Sequence, residues 1–190
     1  MKPILPYCRV PIMVREANAA APAVAREVVE LIAAKCPGAV AEHVGSSAVP
    51  GLAGKGTVDL LLPTPPEDIP AVTQDLLALG FQRQAVPTAF PPTRPMLQGV
   101  VRHGDSSFRV HVHVVPDTSP EVKALRGFRD ALLADPRLRE EYEQLKRSIV
   151  DAGTVDSVAF SKAKHAWIVA ALERLGLTEA VEEVKTGGLP

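Results

Sequence analysis

The 190-residue sequence has little cysteine, almost no net charge and no long apolar run, and each shortage excludes something. Its two cysteines, Cys8 and Cys36, stand far apart and outside any metal-type spacing. That argues against a disulfide scaffold and fits a reducing, cytoplasmic setting. A net charge of -1 gives no whole-chain electrostatic footprint for duplex nucleic acid or an anionic membrane, while leaving room for a local basic pocket. No apolar run reaches membrane-span length, so no membrane partner is expected. The opening stretch MKPILPYCRVPIM is apolar, but three prolines interrupt it and no small-residue cleavage site follows. It does not read as a signal peptide.

What is present is an ordinary globular balance, 46% hydrophobic and 23% charged, on a length that suits one domain with a sizeable core. Residues 1–13 read as an extended arm. Helical spacing of Val24, Val28, Leu31 and Ile32 predicts a helix within residues 14–35, with Pro22 either kinking it or sitting in its first turn, and Cys36-Pro37-Gly38 stopping it. A short strand is expected over 39–44, then a turn and one short helix within 45–56, with Ser46 or Ser47 as N-cap. The continuous apolar run 57–62 predicts a buried strand, ended by the prolines of 63–66. A helix follows over 67–79 with Val72, Leu76 and Leu79 inward, closed by Gly80, then a strand within 81–86.

Residues 87–95, PTAFPPTRP, form a proline-rich loop, either a rigid connector or the rim of a site. A hairpin turning at His103-Gly104-Asp105 comes next. Its second strand alternates Phe108, Val110, Val112 and Val114 on one face with Arg109, His111, His113 and Val115 on the other. From residue 117 the texture is helical. Helices are expected over 120–134 and over 136–150, the second with a stripe of Leu138, Tyr142, Leu145 and Ile149. A last helix over 157–175 has Phe160, Ala163, Trp167 and Ala171 inward. Residues 177–190 read as a tail. The whole is an α+β fold: a mixed-sheet core with helices over 1–116, then a helical region over 117–176.

The chemistry concentrates in EHVGSSAVPGLAGKGTVDLLL, residues 42–62. A strand running through Gly45-Ser46 into a helical turn exposes backbone N–H groups suited to phosphate, though such a corner is equally plain turn chemistry. Asp59 puts a carboxylate in the most apolar run of the chain, which is costly without a partner. Alternation places it on the face of Thr57 and Leu61. His111 and His113 share one strand face about 7 Å apart, and with His43 nearby a His/His/Asp set can bind a divalent ion. Strand histidines on a polar surface are the bland alternative. Lys164 lies about 40° from Phe160 and about 60° from Trp167 around its helix, bordering the inward stripe, whereas Lys162 points away. Lys55, Arg102 and Arg109 add cations near the same place.

These stretches, with RVHVHVV, FRDALLADPRLREEYEQLK and FSKAKHAWI, resemble the GrpB family over roughly residues 40–170. The resemblance falls on His43, Gly45, Ser46, Pro50, Gly51, Leu52, Lys55, Asp59, His111, His113, Phe128, Arg129, Asp130, Tyr142, Lys146, Phe160 and Lys164. The sequence departs from the family pattern at Ser47, where Thr is usual, at Gly56-Thr57, and at Phe160, where Tyr is common. It also lacks the family's Tyr-Asp-Pro…Trp start, and no site residue is assigned within residues 1–20.

The resemblance implies a nucleotidyltransferase-like fold. Gly45, Ser46 and Ser47 would then face phosphate with His43, Lys55, Arg102 and Arg109. Asp59 would hold a metal (magnesium, manganese or zinc) with His111 and His113. Lys55, Lys164 and Asp59 would serve any transfer step. Leu61 stands where that fold carries its second carboxylate. Family members fused to the kinase that makes coenzyme A point to nucleotide-like ligands. Three readings stay open: a divergent nucleotidyltransferase acting on a nucleotide or small phosphorylated ligand, a non-catalytic nucleotide-binding module, and a His/Asp metal-dependent hydrolase.

Overall fold

A computed structural model describes residues 3–86, 89–179 and 181. Five strands form one mixed sheet in the order β1-β2-β5-β4-β3. They are β1 (Glu42–Val44), β2 (Thr57–Thr64), β3 (Gln82–Arg83), β4 (Met96–His103) and β5 (Ser106–Pro116). The central pair, β2 and β5, is parallel, and the other neighbours are antiparallel. The helices are α1 (Ala21–Lys35), α2 (Ile69–Leu79), α3 (Pro120–Ala134), α4 (Pro136–Asp151) and α5 (Ser157–Arg174).

The period-2 alternation of β5 divides the molecule into two layers. Phe108, Val110, Val112 and Val114 join Val58, Leu60 and Leu62 in a core covered by α1 and α2. Val115 and Leu61 face the opposite way, into a second core with Phe128, Leu132, Leu138, Tyr142 and Ile168 from α3, α4 and α5. The functional candidates Asp59, His111 and His113 share this second face.

Local chemistry sets the helix ends. Pro22 sits in the first turn of α1 and does not kink it. Gly80 adopts a left-handed conformation and closes α2. The side chains of Ser119, Asp135 and Asp156 accept hydrogen bonds from the first backbone N–H groups of α3, α4 and α5.

Several expectations need correction. β2 does not stop at Leu62. It runs through Pro63, because β1 ends opposite Leu61 and a residue without an N–H is tolerated where that neighbour has gone. The strand expected over 81–86 shrinks to Gln82–Arg83. The helix after Gly45 is a single 3-10 turn, Ser46–Ala48, whose cap position is Gly45, and neither serine caps it. On α5, Ala163 is exposed, and the buried stripe is Phe160, Lys164, Ile168, Ala171 and Leu172. The expected tail is not all free, since Val181 is buried in the second core. Its remainder beyond 181, like Pro87 and Thr88 of the proline-rich loop, lies outside the described residues.

Candidate functional site

β1 delivers the chain to Gly45, whose φ of 72° and ψ of -168° are open essentially to glycine alone. A Cβ there would lie 3.1 Å from Asp59 Oδ2, so the turn packs directly on the carboxylate. Helix α3 braces this corner. Arg129 donates to the His43 carbonyl at 3.3 Å and pairs with Glu42, as does Arg126. His43 is taken up by Ser47, Nε2 to Oγ at 2.9 Å, and does not join the metal-type group. Burial lowers its pKa, against the pull of Asp59. Beyond the turn lies a cavity of about 520 Å³. Gly45, Ser46, Lys55, Asp59, Lys146 and Lys164 are among its lining residues.

Parallel pairing sets Asp59 of β2 beside His111 of β5, and Leu61 beside His113. Asp59 Oδ1 lies 3.2 Å from His111 Nδ1 and 3.8 Å from His113 Nε2. One ligating atom from each residue falls within 4.8 Å of the others. Burial opposes the charge on Asp59, but Lys55 and the two histidines outweigh it and hold the carboxyl well below its usual range. Burial pushes His111 down to about 4, against the attraction of Asp59, and lowers His113 for the same reason. At neutral pH the group is thus one carboxylate and two neutral imidazoles, the forms that bind metal. Two of its buried atoms, Asp59 Oδ1 and His113 Nε2, make no hydrogen bond. Such orphaned atoms, in a donor set of two nitrogens and one oxygen, fit a divalent transition ion better than magnesium.

The far side of His111 is also held. Its Nε2 lies 3.2 Å from the Tyr7 hydroxyl, and the two rings are 5.5 Å apart. Phe90, from the proline-rich loop, meets the His113 ring edge-on at 6.0 Å. That loop therefore rims the histidine pair.

Three lysines face the cavity. Lys55 is half-buried, and burial lowers its pKa against the pull of Asp59. Lys164 is buried as its helical angle implies, with Nζ 3.4 Å from the Tyr142 hydroxyl and 4.9 Å from the centre of the Phe160 ring. Burial brings it down to about 8. Lys146, one turn after Tyr142 on α4, is 1% exposed. It donates to the Ala53 carbonyl and lies 3.3 Å from Ser46 Oγ. Burial, then the charge of Lys164, pushes it down to about 7.

Of the predicted site residues, the fold gathers Gly45, Ser46, Ser47, Lys55, Asp59 and Lys164 around the cavity, with His111 and His113 beside Asp59. Arg109 donates to the Lys55 carbonyl at 2.6 Å, shaping the loop without lining the cavity. Arg102 is exposed and does not reach it, because it lies at the hairpin end of β4. The family motif falls on Tyr142 and Lys146 but assigns them no role at the site, and it does not reach Tyr7 or Arg15. Lys146 left a signal: it falls between Tyr142 and Ile149 on the apolar stripe of α4, where a solvated lysine has no place. Tyr7 and Arg15 left none, and both lie within residues 1–20, where no site residue is assigned. Arg15 pairs with Gly54 as an isolated bridge and lines the cavity.

The profile of the GrpB protein family matches residues 11–174. A UPF0157 protein of Streptomyces coelicolor is 34% identical over 139 residues, covering 71% of this chain and 68% of that protein. A UPF0157 protein of Vibrio cholerae is 33% identical over 117 residues, with coverage of 62% and 58%. A dephospho-CoA kinase of Mycolicibacterium paratuberculosis is 29% identical over 155 residues, 70% of this chain but 38% of that protein. The chain thus spans only part of these relatives. Among solved structures, GrpB from Enterococcus faecalis aligns with a TM-score of 0.66 at 21% identity, covering 90% of this chain and 98% of that one. A Cid1 poly(U) polymerase aligns at 0.44 and 12% identity over 72% of this chain and 42% of its own, too distant to bear on function. The chain belongs to the GrpB family.

Proposed function

We propose that the cavity binds a nucleotide or small phosphorylated ligand, together with a divalent ion held by Asp59, His111 and His113, in the manner of a one-metal nucleotidyltransferase. A single observation carries this reading. Asp59, buried and ionised, faces the neutral imidazole pair on one side and a lysine-lined cavity on the other, with Gly45 packed against it. When bound, the ion would act as a Lewis acid on a phosphoryl oxygen. Lys55 and Lys164 would offset negative charge developing on the transferred group, and the Ser46 hydroxyl would position phosphate. Leu61, at the place of a second carboxylate, is fully buried in the second core. A two-ion arrangement is therefore not expected. The likeness to a dephospho-CoA kinase makes coenzyme A precursors worth including among ligands.

The orphaned His113 Nε2 favours a second reading, a metal-dependent hydrolase in which the same three residues hold zinc. A thermal-shift screen of nucleotides and coenzyme A precursors, each with magnesium, manganese, zinc or EDTA, separates the two. A ligand of the native state must raise the melting temperature. The expected result is a nucleotide-dependent rise that requires manganese or zinc and disappears in Asp59→Asn. A rise with zinc alone favours the hydrolase. A nucleotide rise in EDTA that survives Asp59→Asn leaves a binding module without the metal. No rise with any combination ends the proposal.

A further inference from the structure

We propose that Ser46 and Lys146 form a nucleophile–base pair, in which the Ser46 hydroxyl attacks the carbonyl carbon of a small ester or thioester while the Lys146 amine accepts its proton. The pair arises from residues 100 positions apart, with Lys146 Nζ 3.3 Å from Ser46 Oγ. Ser46 follows Gly45 on the turn, its side chain caps no helix, and it lines the cavity.

Lys146 is fixed as a base should be. Its oxygen partners, the Ala53 carbonyl and Ser46 Oγ, are both uncharged, and the Tyr142 ring centre lies 4.6 Å from its Nζ. Ala53 is itself held from its other side, its N–H donating to Glu143 at 3.1 Å. Gly54 adjoins the pair: a Cβ there would stand in van der Waals contact, 3.4 Å from Ser46 Cβ and 3.8 Å from Lys146 Nζ. The charges acting on Lys146 are those of Lys164, Glu143 and Arg147, with burial the largest influence, and together they leave much of it neutral near pH 8. Nucleophile, adjoining base, an orienting group behind the base and a cavity in front of both are the parts acyl transfer needs.

The step balances without any ion. The Ser46 Oγ–carbon bond forms as Lys146 takes the hydroxyl proton. The carbon–oxygen or carbon–sulfur bond to the leaving group then breaks, and Lys146 returns the proton to that group. Water, deprotonated by Lys146, next attacks the acyl-serine ester, releasing a carboxylic acid and restoring the hydroxyl. Lys55 and Lys164 on the same cavity favour a leaving group that carries negative charge. The inference goes beyond the metal-dependent reading and needs neither nucleotide nor metal.

The test uses the full chain in EDTA with p-nitrophenyl acetate and, separately, a fluorophosphonate probe, followed by mass mapping of the modified residue. Expected are an initial burst of nitrophenol and both adducts on Ser46. Acylation should fall on the order of 100-fold in Lys146→Met and in Lys146→Arg, since arginine keeps the charge but cannot act as the base. Lys162→Met, an exposed lysine on α5, should acylate like the parent. Circular dichroism confirms that each variant is folded, and if the methionine variant unfolds the arginine variant decides. No adduct, an adduct on another residue, or Ser46 acylation unchanged in the folded Lys146 variants overturns the proposal. Because metal and nucleotide are absent, either outcome leaves the metal-site reading to its own test.

Discussion

Lys146 shows how much one side chain can set. A lysine kept at 1% exposure with only uncharged oxygen partners is stable chiefly when neutral. Its pKa is about 7 in the fold against 10.5 for the free side chain. Between those values the unfolded chain binds the proton that the native chain has lost, so unfolding free energy rises with pH. The gain is complete above the unfolded value and is lost as pH falls to about 7. The slope from this residue approaches about 1 kcal/mol per pH unit. Urea unfolding from about pH 7 to pH 9 should therefore show stability climbing in the parent and a flatter profile in Lys146→Met. Equal slopes would mean that Lys146 keeps its proton. Asp59 is the opposite case, a buried group held charged, because three neighbours answer it.

At the scale of elements, the N-terminal arm and α4 complete what the sheet begins. The arm crosses β4 through an isolated bridge between Leu5 and Val100, and Ile4 lies so close over Gly99 that a Cβ there would stand 2.2 Å from its Cγ2. This crossing places Tyr7 against His111. In the tautomer whose Nε2–H donates to the Tyr7 oxygen, Nδ1, the atom facing Asp59, would offer its lone pair to a bound ion. Tyr7→Phe should weaken zinc or manganese binding about 10-fold in calorimetric titration, with little change in the melting temperature of the metal-free protein. Unchanged affinity would reduce Tyr7 to a packing role. Little of this was legible beforehand. The hairpin, α3, α4 and the stop at Gly80 follow from alternation, proline at helix starts and a left-handed glycine, all local rules. The arm carries no such period, and its contacts depend on residues about a hundred positions away.

For the molecule as a whole, the sheet separates support from chemistry. Its α1/α2 face is an apolar core, while the α3–α5 face combines a second core with the cavity and the buried ionisable groups. Leu60, fully buried on the first face, should behave accordingly. Leu60→Ala is expected to cost about 2–5 kcal/mol in urea unfolding while metal affinity at Asp59, His111 and His113 stays near the parent value. A matching loss of affinity would mean that the two faces are coupled through β2. Among the described residues, no helix is long and apolar enough to cross a membrane, in line with the absence of long apolar runs.

The sequence by itself determined which face each strand residue takes, so Asp59 and Leu61 on one strand and His111 and His113 on another were already sorted, and it determined the family. It also marked Lys164 as bordering the inward stripe, by angle alone. Only the tertiary structure decided that β2 and β5 pair in parallel with Asp59 beside His111, that Lys146 meets Ser46, and that Tyr7 backs the histidine. Side-chain alternation and helical angle are properties of a few neighbouring residues. Register and inter-element contact are fixed by how two whole faces of a sheet are covered, and no short stretch of chain contains that information.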